Sequence, residues 1–349
     1  MTAVLEDCRL AGVAMRALRH HTGVVIPVYL PSTIDTKQGE ALLEDTVELA
    51  CGQVTDPAHI CLSVDGEACG AEAAQRLAQR FGALVHIGPV NRGKLGAAMD
   101  GVRVLLQDVD VQYVALVDQD GDHFCSELLG FLRVALHIRD RTENERVIVL
   151  GRRASRHRPM GFLRGELEEF ADRVLLDALA YRAAMAGRPL RLEYALALDE
   201  FPDFHSGYKL FSRPTAQDVF LSEPRLEGVS ESCYYRHGCE AVMVVEALEG
   251  GAYLGNLSRS TLNVQPITTF GLYNLSQLVA DKIIWPCRRL KIPARFAQQW
   301  MANHAGRLLL HTLRPEGKDE LDRIRRLVLG ALPDGVEMGE EPVLEPLFV

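Results

Sequence analysis

The run Val117-Asp118-Gln119-Asp120-Gly121-Asp122 places three carboxylates on alternate positions directly after an apolar stretch at 112–117. In extended backbone, alternate side chains share one side. Two like charges about 4 Å apart repel by about 4 kcal/mol at an effective dielectric near 20. A hard cation such as Mg²⁺ or Mn²⁺, bound through oxygen and bridging to a diphosphate, removes that cost. An EF-hand loop opens in the same way, but it needs a bidentate Glu where Leu129 stands, and the residues before it read as a strand. A solvated acidic turn is the plain alternative. The strand-end position favours the cation, with Asp118, Asp120 and Asp122 as its expected ligands.

Other residues could serve the same chemistry. Asp65 ends a second apolar run just before Gly66, where a simple turn-forming Asp is the bland reading. Arg92 and Lys94 flank a helix start, where backbone N–H groups and the helix dipole already favour anions. A surface cation pair is their alternative. Asp203 and His205 sit in a Gly-containing loop, and transfer to a hydroxyl needs a carboxylate or His as general base, whereas an ionised phosphate acceptor needs none. The basic cluster Arg152-Arg153-Ala154-Ser155-Arg156-His157-Arg158 suits phosphate capture by guanidinium forks, or is a solvated basic loop.

The elements that must position these groups alternate. Apolar β-rich runs at 23–29, 59–64, 84–87 and 112–117 are separated by helical spacing at 42–49, 71–81 and 93–106, after a helix over 1–20. Such alternation predicts an α/β layer with a mostly parallel sheet. Ligands bind beyond the carboxyl ends of such strands, and Tyr29, Asp65 and Asp118 each stand at one. A further strand is expected at 146–150, then a long amphipathic helix carrying Leu163, Leu167, Phe170, Val174, Ala178 and Met185. Residues 191–213 mix short strands and loop. From 271 the pattern is helical, with breaks expected at Pro286 and Pro293, a charged helix at 317–331 and a Pro/Glu-rich tail.

The 349 residues carry a net charge of −9, which argues against a nucleic-acid binder. Eight cysteines without a C-x-x-C pair read as reduced thiols of a cytoplasmic protein. The start carries acids where a secretory signal would carry bases, and no apolar run approaches the ~18 residues that span a bilayer. A membrane-embedded synthase is thereby excluded, while a peripheral enzyme at a membrane surface is not.

In their order, these pieces resemble the family-2 glycosyltransferases of the GT-A fold, and among them the dolichyl/polyprenyl-phosphate sugar synthases. Residues 24–29, with Pro27 and Tyr29, are similar to the opening strand whose end contacts the nucleoside. Ser63-Val64-Asp65 resembles the strand whose Asp contacts base or ribose, and residues 91–98 resemble R-x-x-K-G-x-G-x-A. Asp118–Asp122 with His123 looks like D-x-D-x-x-H, and Asp203-Phe204-His205-Ser206-Gly207-Tyr208-Lys209 like D-x-x-S-G-F-[KR]. The resemblance implies a GT-A domain over 23–270, with a nucleotide-sugar half at 23–135 and an acceptor half at 136–270. It further implies a UDP- or GDP-type sugar donor, inversion at the anomeric carbon, and acceptor contacts from Arg152, Arg153, Arg156, Ser206 and Lys209.

The match stops in places. Aligning Ala247 and Gly251 puts Val242 where an acid belongs, so Glu240 and Glu246 read as plain surface glutamates. Gln298-Gln299-Trp300 lacks the Arg of the polymer-synthase Q-x-x-R-W signature. Residues 271–349 match nothing; a helical extension there could cover the acceptor site or form a homodimer interface. The expected activity is metal-dependent sugar transfer to a small soluble or polyprenyl-phosphate acceptor. The rivals are a sugar-1-phosphate nucleotidyltransferase, which Tyr29-Leu30-Pro31-Ser32-Thr33 disfavours for want of a glycine-rich basic loop, and a non-catalytic nucleotide-sugar-binding protein.

Overall fold

The computed structural model describes residues 2–32, 35–196, 201–262, 274–313 and 316–334. The Pro/Glu-rich tail and the expected domain end at 270 lie outside the described residues. The chain runs α1 (Thr2–His21), β1 (Thr22–Val28), α2 (Thr36–Cys51), β2 (Ile60–Val64), α3 (Ala71–Phe81), β3 (Leu84–Ile87), α4 (Lys94–Leu105), β4 (Tyr113–Leu116) and α5 (Leu128–Thr142). It continues through β5 (Val147–Arg153), α6 (His157–Met160), α7 (Phe162–Met185), β6 (Lys209–Ser212), α8 (Arg213–Phe220), a π-helical turn (Cys233–His237), α9 (Cys239–Glu249) and β7 (Tyr253–Arg259). The helices α10 (Leu275–Arg289), α11 (Ala294–Ala305), α12 (Leu310–Leu313) and α13 (Gly317–Ala331) follow.

Seven strands form one sheet in the order β3-β2-β1-β4-β6-β5-β7. The first four strands are parallel, as the alternating pattern predicts, and β5 and β7 are parallel to each other. Only β6 runs antiparallel, to β4 and to β5. The fold is thus the expected α/β arrangement, a mostly parallel sheet flanked by helices. One apolar layer packs α1, α2, α3 and α5 on one face of the sheet. A second packs α4, α7, α8, α9, α10, α11 and α13 on the other, so the C-terminal helices share the core of the sheet.

Two details of β1 open the site. Its pairing with β4 ends at Val25↔Leu116, while pairing with β2 continues to Val28↔Val64. The Val117 N–H still donates to the Val25 carbonyl, so odd-numbered residues of β1 face the β4 side. Pro27 therefore lacks its N–H where no strand remains to need one. Two residues on, the Gln119 amide takes the missing neighbour's place: Tyr29 N–H donates to Gln119 Oε1 at 2.8 Å and Gln119 Nε2 donates to the Tyr29 carbonyl at 2.7 Å. The end of β1 and the acidic loop are held as one unit, with a gap between them.

Two expectations are corrected. Pro286 does not break the chain; it lies buried inside α10, which runs on to Arg289 because packing against α7 and α13 overrides the cost of the lost hydrogen bond. Lys209 opens the buried strand β6, so it lies inside the sheet and not in an acceptor loop. Among the described residues, no helix is long and apolar enough to cross a membrane.

Candidate functional site

A cleft of about 300 Å³ opens at the carboxyl ends of β1, β2 and β4 and extends over β5 to α10. It gathers Pro27, Tyr29, Asp65, Lys94, Asp118, Asp120, Asp122, Arg153 and His205 from the sequence-predicted set. The remaining predicted residues, Arg92, Arg152, Arg156, Asp203, Ser206 and Lys209, do not line it.

At the donor end, Asp118 Oδ1 meets Lys94 Nζ at 2.6 Å, with both side chains about a quarter exposed. Lys94 also reaches Glu240 Oε1 at 2.7 Å, and Glu240 in turn holds the buried Lys209. Burial alone would lower the Lys94 pKa; Asp118 and Glu240 outweigh it and hold the ammonium above its ordinary value. Glu240 is likewise kept ionised, its burial outweighed by Lys209 and Lys94. The Asp118 N–H donates to His123 Nδ1 at 2.8 Å, which leaves the ring proton on Nε2, 3.7 Å from Asp118 Oδ2. Burial, aided by Arg259 and Lys94, keeps that imidazole neutral, well below the usual histidine range. Asp120 Oδ1 accepts the Asp122 N–H at 3.2 Å across the turn at Gly121, whose φ is 77°.

Asp122 departs from its expected role. Its carboxylate is buried, accepting from Arg259 Nη1 at 3.0 Å and from the Leu262 N–H at 2.6 Å. It ties the acidic loop to β7, with both carboxylate oxygens engaged by the protein. Among the described residues, no group of three or more His, Cys, Asp or Glu side chains is arranged to hold a metal ion. Asp118 and Asp120 remain as two hard oxygen donors at the cleft that could hold a divalent cation.

Asp65 lies at the cleft and is also engaged by the protein itself, while Arg92 does not line the cleft. Asp65 accepts the Arg92 N–H at 2.8 Å and the Gly93 N–H at 2.9 Å, so the amides at the start of α4 are met by the protein's own carboxylate. Arg92 is paired with Asp100 beside the ring of Tyr235 and turns from the cleft. Gly93 is required where it stands: its φ is 113°, and a Cβ would sit 2.7 Å from the Tyr235 carbonyl.

The end of the cleft over β5, the expected acceptor end, is a buried ionic network. Arg153 meets Asp203 Oδ1 at 2.6 Å and Glu168 Oε2 at 2.9 Å, and Glu168 also accepts from Arg164 and Lys282, each at 3.1 Å. Arg156 bridges Asp203 at 3.4 Å and Asp172 at 3.2 Å. Burial would raise the pKa of Asp203, but the Arg153 charge and its hydrogen bonds hold it far below the usual carboxylate range. A fully buried carboxylate so firmly paired is a poor proton acceptor, which removes Asp203 as general base. Arg152, next along β5, points to the other side and donates to Ser258 Oγ at 2.9 Å. Ser206 Oγ donates to the Gly151 carbonyl at 2.6 Å, a structural bond within the core.

His205 keeps its place. The Asp172 carboxylate accepts from the His205 N–H at 3.1 Å and from the ring nitrogen Nδ1 at 2.7 Å, while Nε2 has no hydrogen-bond partner among the described residues. Sequence reading missed Asp172, which looks like one more helix acid until the chain 33 residues later folds onto it. Gln119 and Glu240 were missed as well. The only sequence signal for Glu240 is its place in the first turn of a helix whose next five residues are all apolar. Glu246 is not a surface acid either; it grips Arg289 at 2.7 Å.

No family model matches the chain, and no curated protein matches it. Among solved structures it is similar to a mycobacterial protein, at 17% identity over 81% of this chain and 79% of that one, with a TM-score of 0.48. It is also similar to S. aureus TarS 1–349, at 12% identity over 88% and 90% of the two chains, with a TM-score of 0.39. At identities this low and TM-scores below 0.5, the likeness says nothing of activity, and the functional reading rests on the cleft's own geometry.

Proposed function

We propose that the chain is a metal-dependent glycosyltransferase using a nucleoside-diphosphate sugar. The observation that supports it most directly is Asp118 and Asp120 at the carboxyl end of β4, facing a cleft that the ends of β1 and β2 and the start of α4 also border. In this reading Asp118 and Asp120 hold Mg²⁺ or Mn²⁺, which supplies charge neutralisation for the departing diphosphate. Pro27 and Tyr29 flank the nucleoside. Lys94 stands on Asp118, within reach of the same phosphates, and stabilises the negative charge that grows on them as the sugar leaves. Glu240 accepts from the same ammonium at 2.7 Å and so fixes its position beside Asp118.

The test is a thermal-shift panel of UDP-, GDP- and dTDP-sugars with and without Mn²⁺, followed by assay of the best binder for release of nucleoside diphosphate. Ligand bound only by the folded protein raises its midpoint. Expected are a Mn²⁺-dependent shift and metal-dependent release of nucleoside diphosphate. Release of pyrophosphate from a nucleoside triphosphate and a sugar phosphate would instead mark a nucleotidyltransferase. Binding without turnover over a broad acceptor screen would mark a sensor.

A further inference from the structure

The sequence leaves two acceptor chemistries open, an ionised phosphate and a hydroxyl, and the acceptor end of the cleft distinguishes them. We infer that the acceptor oxygen is a hydroxyl and that His205, oriented by Asp172, is the base that takes its proton. The inference rests on the glycosyl-transfer reading above.

Two separate observations carry it. The first is the His205–Asp172 pair. Asp172 Oδ1 lies 2.7 Å from Nδ1 and also accepts the His205 backbone N–H at 3.1 Å. An ionised carboxylate only accepts, so Nδ1 carries a proton, and the tautomer with its single proton there presents a lone pair at Nε2. Among the described residues that buried nitrogen has no hydrogen-bond partner, and its side chain lines the cleft. A buried polar atom left unpaired is costly, and such a cost is expected where a ligand completes the bond. A phosphate oxygen, already ionised, has no use for this lone pair; a hydroxyl does.

The second observation concerns the cations expected to capture a phosphate. Arg153, Arg156, Arg164 and Lys282 are each paired with Glu168, Asp172 or Asp203. A phosphate entering among them would face those three carboxylates as well as the four cations. The network positions the wall of the cleft instead of binding an anion. The loop from Asp203 to Tyr208 then joins the two ends of the site. Gly207 abuts Asp118 and Lys94, and His205 stands two residues before it.

The step balances without another reactant. His205 Nε2 accepts the hydroxyl proton, and the oxygen forms a bond to the anomeric carbon. The bond from that carbon to the diphosphate breaks, and its electron pair leaves with the nucleoside diphosphate. Asp172 stabilises the imidazolium that results, as a positioning residue.

The test uses the full chain with Mn²⁺ and the best donor of the panel above. The acceptor probes are glycerol, with water as the hydroxyl of last resort, and citronellyl phosphate as an ionised oxygen. The wild type is expected to transfer to glycerol or water and not to citronellyl phosphate. His205→Gln should lower kcat for that transfer by about 10²–10⁴-fold, the usual contribution of a general base, while the donor-induced thermal shift persists. Free imidazole should restore part of the rate to His205→Ala, which a merely structural histidine would not allow. Asp172→Asn should lower kcat with KM for the donor unchanged. Efficient glycosylation of citronellyl phosphate, or wild-type rates in His205→Gln, overturns the inference and leaves glycosyl transfer standing. A wild type that neither binds donor nor releases nucleoside diphosphate removes the transfer reading and this inference with it.

Discussion

The two ends of the cleft are built from the same kinds of groups and behave differently. At the donor end, Lys94 and Asp118 are 26% and 28% exposed and meet through a single contact. At the acceptor end, Arg153, Glu168 and Asp203 are 6%, 2% and 0% exposed and are held by several contacts each. An accessible pair is worth little, so its members can trade partners when a charged ligand arrives. A desolvated network cannot, because removing one member leaves an uncompensated charge. Exposure, more than charge or motif, separates the ion pair that can open from the network that cannot.

The sharpest way to break that comparison is Asp120→Asn. The amide retains an oxygen to accept the Asp122 N–H, so the turn should survive. The cation should not. Metal-dependent release of nucleoside diphosphate is expected to fall by at least about 10³-fold, the scale of losing a preorganised charge contact in the transition state. Wild-type turnover in saturating Mn²⁺ would falsify the cation assignment.

At the acceptor end the same logic predicts lost stability. Arg153→Leu should cost about 3–5 kcal/mol, since it strands Asp203 and Glu168 in the core. Acid sharpens the test. Burial would raise both carboxyl pKa values, but Arg153 at Asp203, and Lys282 with Arg153 at Glu168, hold them below the ordinary range. Such groups contribute stability that is fully present above the unfolded value near 4 and is lost progressively as pH falls below it, through the depressed folded-state values. The wild-type midpoint should therefore hold from neutrality to about pH 5 and drop below about pH 4. The Arg153→Leu curve should converge on it in acid. Parallel curves would show that the network does not carry the stability assigned to it.

Much of the donor half is legible in the sequence because its signals are local. The strand at 84–87 and the helices at 71–81 and 317–331 fall on the observed bounds of β3, α3 and α13. The position of Asp118 follows from one apolar run that ends in acids. The acceptor half depends on distant pairings instead. β6 begins with a lysine that is fully buried, and no local pattern marks such a strand; Glu240, 31 residues later, is what makes it possible. The arginines of 152–158 read as one basic loop. Their fates diverge because strand alternation turns Arg152 outward and Arg153 inward, onto acids from α7 and the loop at 203.

Gly207→Ala tests whether the two ends are coupled, with the smallest expected change in stability. The backbone at Gly207 lies in no left-handed region, so alanine can adopt it, and the stiffer unfolded chain favours folding by about 0.4–1 kcal/mol. Against this, the new Cβ would sit 2.6 Å from Asp118 Oδ2, 2.8 Å from Lys94 Nζ and 3.1 Å from His123 Cε1. Lys94 has a flexible stem and can withdraw, and Asp118 can turn, so relieving the contact should cost only about 1 kcal/mol. The two terms nearly cancel in the midpoint. They do not cancel in turnover, because the groups displaced are a cation ligand and the lysine beside the leaving group. A shift of about 1 Å at such a place lowers rate by up to about 10²-fold. The expected result is therefore a normal thermal midpoint, a weaker Mn²⁺-dependent donor shift and a rate reduced by between one and two orders of magnitude. A variant with normal midpoint and normal rate would mean that the loop carrying His205 does not set the position of Asp118, and the two ends of the cleft would then act independently.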